Sequence, residues 1–331
     1  MPAMRTFASF FKGARLILFW TGLLVALWGC ASIGPYGDRY EAADRVAAAG
    51  GLTKVHIQTR DFALTAYARI SSPGADITVY IEGDGSAWLS PTLLSGDPTP
   101  ARPLVLQMAA LDPAGNVAYL ARPGQYASGP SPGCDPLYWS DRRFSPEVVE
   151  AMSEGIEKLR CLSGSGRVDL VGYSGGGAIA VLVAARRSDI ASLRTVAGNL
   201  DTEAVNRHHG VSFLAGSLNP IDEAARLARL PQRHFAGAKD TVVPVFVVRS
   251  FLKQAGDTDT RRLVVLKDVS HSRGWLEKWG DLLALPPITA RQGLLDSHAL
   301  RQVPGLVDVG AEKVGHVVGH ELEGHYGKNG L

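Results

Sequence analysis

The sequence is short of net charge, of cysteine and of long apolar runs, and each shortage excludes something. Its 34 Lys and Arg are nearly matched by 32 Asp and Glu, leaving a net charge of +2. It therefore shows no electrostatic footprint for nucleic acid, and it has neither Lys/Arg runs nor clusters of base-stacking aromatics. Three cysteines allow one disulfide at most. The apolar run over residues 16–29 falls short of the ~20 residues needed to span a bilayer. No repeat at a fixed period and no long low-complexity tract occurs, which sets aside solenoid and linker-like architectures. What remains is a chain of 331 residues, 46% hydrophobic and 20% charged. That is core enough for one large α/β domain or two small ones. The 37 glycines and 19 prolines point to many tight loops.

The first residues read as an export signal. Arg5, Lys12 and Arg15 precede the apolar run with no acid among them, and the run ends in Leu27-Trp28-Gly29-Cys30-Ala31-Ser32. This ending resembles the bacterial lipobox, in which the cysteine is lipidated and becomes the mature N-terminus. The resemblance implies a signal peptide over 1–29, a lipid on Cys30 and a membrane partner through that anchor. Ala31 in place of an aspartate implies the outer membrane, facing the periplasm. An uncleaved anchor helix and plain secretion are the alternatives. Outside the cytoplasm Cys134, in a Pro/Gly loop, and Cys161, at a helix end, are permitted to pair. Two free thiols is the other reading.

Residues 30–51 read as a lipidated N-terminus and spacer, with a short Ala-rich helix over 40–49. Strands are expected over 55–59, 62–70, 76–82, 116–120, 168–171, 193–197, 232–236 and 262–266. Helices are expected near 104–111, from Pro146 to about 162 with Ser145 as cap, from Ala178, over 244–255 and over 274–285. Residues 198–230 read as an irregular insertion. Strands alternate with helices, so the fold class is α/β, a mostly parallel sheet flanked by helices on both faces.

The chemistry is written most densely in Gly172-Tyr173-Ser174-Gly175-Gly176. It lies between an apolar strand and an apolar helix, and it fits G-x-S-x-G. A serine lifted onto so sharp a turn needs glycines around it. A serine hydroxyl also needs a base, and the base a third group to orient it. In an open α/β sheet such groups gather past the carboxyl ends of strands. Downstream, Asp240 follows one strand, in Asp240-Thr241-Val242-Val243-Pro244, and His271 follows the last. Asp201 is a rival acid. Asp268 lies too close to His271 in sequence. His208 and His209, in the insertion, are rival bases better read as lining a pocket or facing solvent. Ser270 and Ser272 read as ordinary loop residues.

The motif, the order Ser, Asp, His and the strand ends together resemble the α/β-hydrolase superfamily over residues 52–285. The resemblance implies an α/β-hydrolase fold and a triad of Ser174, Asp240 and His271 acting without a cofactor on a small ester or acyl substrate. It also implies an oxyanion hole from the Gly175 amide and an amide after strand 76–82. The superfamily often has His-Gly there, but this chain has Glu82-Gly83-Asp84-Gly85. Asp84 or Gly85 is the candidate donor, and Arg122 is a partner for the carboxylates. A non-catalytic envelope binding protein, and a peptidase or haloperoxidase using the same triad, are the other functional readings. Residues 286–331 read as a flexible tail. There His320-Glu321 is followed by His325 five residues on rather than four, and His316 and His320, spaced i, i+4, sit among Gly315, Gly319 and Gly324, which argue against a helix, so no metal site is expected.

Overall fold

The structure, a computed structural model, describes residues 37–127, 135–256, 260–285 and 306–309. Cys30 with its leader, Cys134 and the histidines of 310–331 lie outside the described residues. The chain divides into two compact units, Met1–Glu41 and Ala42–Leu331, and the fold is that of the second. A first helix, α1 (Gly37–Ala49), runs into it. Among the described residues eleven strands and six further α-helices follow: β1 (Thr53–Gln58), β2 (Ala63–Ile70), β3 (Ile77–Ile81), β4 (Trp88–Ser90), β5 (Leu93–Leu94), α2 (Leu104–Leu111), β6 (Asn116–Leu120), α3 (Pro146–Ser163), β7 (Val168–Tyr173), α4 (Gly175–Ala184), β8 (Ile190–Val196), α5 (Thr202–His209), β9 (Gln232–Gly237), α6 (Val245–Ala255), β10 (Arg261–Leu266), α7 (Leu276–Leu283) and β11 (Leu306–Val309).

The main sheet has the order β1-β2-β6-β3-β7-β8-β9-β10-β11. Pairing is parallel from β6 through β10, while β1, β2 and β11 are antiparallel to their neighbours. The neighbouring inner strands β3 and β6 are buried at every position. That is why they read as unbroken apolar runs rather than alternating ones. Successive side chains still face opposite ways. Val79 and Ile81 join Met152 and Ile156 of α3 and Ile179 of α4 in one core. Tyr80 between them meets Trp279 of α7, ring centroids 6.0 Å apart. Trp279 in turn donates to the Met108 carbonyl of α2 at 3.1 Å. So α3, α4 and α6 cover one face, and α2 and α7 the other.

Three places depart from the sequence reading. Ser145 stands at the start of α3, but its side chain makes no capping bond and its hydroxyl is buried unpartnered. Pro146 at the first helical position and the Ser145 carbonyl, which accepts from Val149 at 3.0 Å, set the helix start instead. The insertion 198–230 is not irregular throughout: Asp201 caps α5, accepting from the Ala204 amide at 3.0 Å. Within 286–331, Leu306–Val309 forms an edge strand on β10 rather than tail. No helix among the described residues is long and apolar enough to cross a membrane.

Candidate active site

Ser174 stands at the turn from β7 into α4. A Cβ on Gly172 would meet the Gly176 carbonyl oxygen at 2.3 Å, and one on Gly176 the Ile81 and Glu82 carbonyl oxygens at 2.3 and 2.5 Å. These are backbone atoms that cannot step aside, so the glycines are required. The strain falls on the serine, at φ 51° and ψ −119°, a conformation that costs a residue with a Cβ about 1–3 kcal/mol. It is clamped there. The Ser174 amide donates to Val196 at 2.9 Å, and its carbonyl accepts from Gly177 and Asn199, both at 3.0 Å.

Asp240 follows β9 and His271 follows β10, and the structure brings both to Ser174. His271 Nε2 lies 3.1 Å from Ser174 Oγ, and Nδ1 lies 2.9 Å from Asp240 Oδ2. A carboxylate only accepts, so the ring proton sits on Nδ1 and the Nε2 lone pair faces the serine hydroxyl. The other Asp240 oxygen accepts from the Val242 and Val243 amides, both at 2.8 Å. The aspartate therefore caps its own loop and orients the histidine at once. Its side chain is fully buried and that of His271 is 19% exposed.

The loop carrying His271 is tied down by two residues whose role here has no mark in the sequence. The Tyr173 hydroxyl and the Trp275 indole both donate to the His271 carbonyl, at 2.9 and 2.8 Å. The rings of Tyr173 and His271 also pack 5.3 Å apart. Burial, with Glu82 and Asp240 nearby, pushes the Tyr173 hydroxyl well above its ordinary range, so it stays a donor.

The rivals are placed elsewhere. Asp201 caps α5 and also accepts from Ser250 at 2.6 Å. Asp268 is exposed and pairs with Lys239 at 2.8 Å. His208 packs on Phe246, and His209 Nε2 lies 2.8 Å from the Val242 carbonyl of the acid loop, so neither bonds the serine. Cys161 is an exposed free thiol whose Sγ sits 3.3 Å from Glu157 Oε1, while its candidate partner Cys134 lies outside the described residues.

The loop after β3 runs past Ser174. A Cβ on Gly83 would lie 3.4 Å from the Ser174 Cβ. The Gly83 amide is taken by Glu82 Oε1 at 2.9 Å, and the Ser86 amide by Pro98 at 3.0 Å. This leaves the Asp84 and Gly85 amides, together with Gly175, the first residue of α4, whose amide has no intrahelical acceptor. Both acids of the loop are accounted for. Glu82 is buried, accepts also from Tyr119 at 3.0 Å, and is pushed by burial up to about 7. Burial would raise Asp84 too, but Arg143 and Arg122 outweigh it and hold the carboxyl below its usual range.

Asp84 is the centre of a charge cluster. The buried Arg122 binds its Oδ1 and the Arg143 carbonyl, and Arg143 Nε lies 3.5 Å from Oδ2. Arg122 packs on the Phe144 ring, 5.1 Å to its centroid. Gln125 Nε2 donates to the Gly83 carbonyl at 2.9 Å and Gln125 Oε1 accepts from the Arg122 amide at 2.9 Å, which locks the loop after β6 to the loop after β3. Asp84 Oδ1 lies 2.0 Å from where a Gly175 Cβ would be. Two guanidiniums against one carboxylate leave the cluster net positive beside the Gly175 amide. Arg122 is the partner expected from the sequence. Arg143 and Gln125 carried no signal there, since their role depends on how two loops pack.

Ser174, His271, Asp84 and Gly85 line one open cavity of about 1000 Å3. Among the described residues, no group of three or more His, Cys, Asp or Glu could hold a metal ion.

No family model matches the chain, and no curated protein matches it in sequence. Solved structures do. An esterase from Pyrococcus furiosus is 16% identical, with a TM-score of 0.51 over 70% of this chain and 89% of its own. Est1E from Butyrivibrio proteoclasticus is 16% identical, with a TM-score of 0.51 over 70% and 95%. A membrane phospholipase A described as a bacterial virulence factor is 16% identical, with a TM-score of 0.51 over 86% and 96%. The chain is similar to these in fold: its mostly parallel, helix-flanked sheet is the α/β-hydrolase fold.

Proposed function

We propose that this α/β-hydrolase-fold chain is a serine hydrolase that cleaves carboxylic esters or thioesters through an acyl-enzyme. The observation that carries the reading is the continuous hydrogen-bonded line from Asp240 through His271 to Ser174 Oγ, opening on a cavity. Ser174 Oγ attacks the substrate carbonyl carbon while His271 Nε2 takes its proton, and Asp240 stabilises the imidazolium. The carbonyl oxygen becomes an oxyanion that faces the Gly175 amide and an amide of Asp84 or Gly85. His271 then gives its proton to the leaving alcohol or thiol. Water, deprotonated by the same nitrogen, releases the acid and restores the serine. Similar structures described as esterases and as a phospholipase support ester chemistry, and others described as an acylaminoacyl peptidase and a puromycin hydrolase keep amide chemistry as the alternative.

Two acids beside the oxyanion site, Glu82 and Asp84, are the feature that would favour a non-catalytic binding module. The pairing of Asp84 with Arg122 and Arg143 removes that support. A fluorophosphonate probe should label wild type and not Ser174→Ala; a wild type that stays unlabelled ends the enzyme reading. Within enzymes, a peptidase would turn over amide substrates in the same assay panel.

The leader and Cys30 support a lipid-anchored protein of the cell envelope. Cys30→Ser should release the chain from the membrane fraction, and unchanged partitioning would remove the anchor.

A further inference from the structure

We propose that the β4–β5 hairpin, together with Arg102 and Arg273 at the cavity mouth, is a surface that docks on anionic lipid. On the hydrolase reading, the substrate is then a lipid ester taken from that surface. Trp88, Leu89 and Leu93 on this short hairpin are 46, 55 and 56% exposed. The hairpin grows out of the cavity wall. Ser86 on one side of it and Pro100 on the other both line the cavity. Its base is closed by Ser86 donating to Pro98 at 3.0 Å and Ser95 donating to Ala87 at 2.9 Å. It is also braced: the buried Trp139 donates to the Ser95 carbonyl at 2.9 Å. From the same turn as Trp139, Leu137 adds another exposed apolar side chain.

The charge at the mouth selects the occupant. Arg102 and Arg273 both line the cavity and are exposed, and neither pairs with a carboxylate among the described residues. The acids of the same lining are Glu82, bonded to Gly83 and Tyr119, Asp84, held by two arginines, and exposed Glu277. Two uncommitted guanidiniums therefore outnumber one uncommitted carboxylate. A tip of three side chains is far smaller than the roughly 800 Å2 per partner that a stable protein interface buries. A tryptophan and leucines beside arginines suit a headgroup boundary, where apolar side chains enter the acyl region and guanidiniums meet phosphates.

The test uses the full chain with p-nitrophenyl butyrate in solution, and with a long-chain p-nitrophenyl ester carried in phosphatidylcholine vesicles, with or without phosphatidylglycerol. Trp88→Ser/Leu89→Ser/Leu93→Ser is expected to lower the ratio of vesicle to butyrate turnover at least about tenfold, a factor worth about 1.4 kcal/mol. Arg102→Gln/Arg273→Gln is expected to abolish the gain from phosphatidylglycerol. A readout without turnover is the emission of Trp88, taken as wild type minus Trp88→Phe, which should shift to the blue on adding phosphatidylglycerol vesicles. An unchanged turnover ratio in the triple variant overturns the proposal. So does a Trp88 emission that ignores both vesicle types, which would leave a protein partner for the hairpin. An equal shift with both lipids overturns the anionic preference. If wild type turns over neither ester, the hydrolase reading fails, and Trp88 emission alone decides the docking surface.

Discussion

Replacing Arg122 by methionine isolates what the charge cluster does for the reaction. Methionine fills a similar volume on the Phe144 ring but leaves Asp84 with Arg143 alone, at 3.5 Å. Asp84 Oδ1 lies almost where a Gly175 Cβ would be, which places the carboxylate about 5 Å from an oxyanion held by the Gly175 amide. At an effective dielectric near 20, two like charges at about 5 Å repel by about 3 kcal/mol, or about two hundredfold in kcat. Because this repulsion exists only once the oxyanion forms, KM should move little. Breaking a buried pair also costs stability, about 3 kcal/mol at the low end given the remaining arginine. Rates must therefore be normalised to active sites titrated with a fluorophosphonate. The decisive variant is Arg122→Met with Asp84→Asn. It removes both charges and should recover most of the lost kcat, to within about tenfold of wild type. An Arg122→Met enzyme with near-normal kcat per titrated site refutes the reasoning. So does a double variant as slow as the single one.

The remaining tests address strain, packing and pH. Glu82 is raised from 4.5 to about 7 in the fold, so its contribution is fully present below pH 4.5 and is lost as pH rises through 7. At about 1.4 kcal/mol per unit this amounts to about 3 kcal/mol. Urea denaturation from about pH 5 to about pH 8 should show that loss in wild type and not in Glu82→Gln; parallel curves refute it. Gly176→Ala drives a Cβ into the Ile81 and Glu82 carbonyls and should cost about 3 kcal/mol or more, or prevent folding, as read by thermal unfolding. Ser174→Gly should abolish labelling yet stabilise the fold by about 1 kcal/mol. Relief of the φ 51° strain exceeds the added chain entropy of glycine, and a lower melting temperature than Ser174→Ala contradicts it.

The parts of the site legible in the sequence are those fixed by local chain geometry. Ser174 is announced by glycines that a strand-to-helix turn cannot do without, and Asp240 and His271 by their position just past apolar strands. The same local logic misleads at Asp201, where an acid after a strand followed by Thr202-Glu203-Ala204 is a helix cap, a pattern that could have been read as such. The tie of Tyr173 to the His271 carbonyl, and of Arg143 and Gln125 to the donor loop, joins segments far apart in sequence and leaves no local mark. The β4–β5 hairpin is hidden for another reason: two and three residues interrupted by Pro91 fall below any periodicity that a strand could show.

Ser174 and His271 are 97 residues apart, and they meet only because β8, β9 and β10 each add to the sheet beside β7. No partial fold lacking β10 holds the histidine against the serine. A chain synthesised amino end first delivers β10 late. Loop closure over such distances is slow. The triad is therefore among the last features of the molecule to form, and serine reactivity reads completion of the whole sheet. A chain that starts to fold before β10 is available carries a serine with no base, and is inert until the last parallel strand arrives.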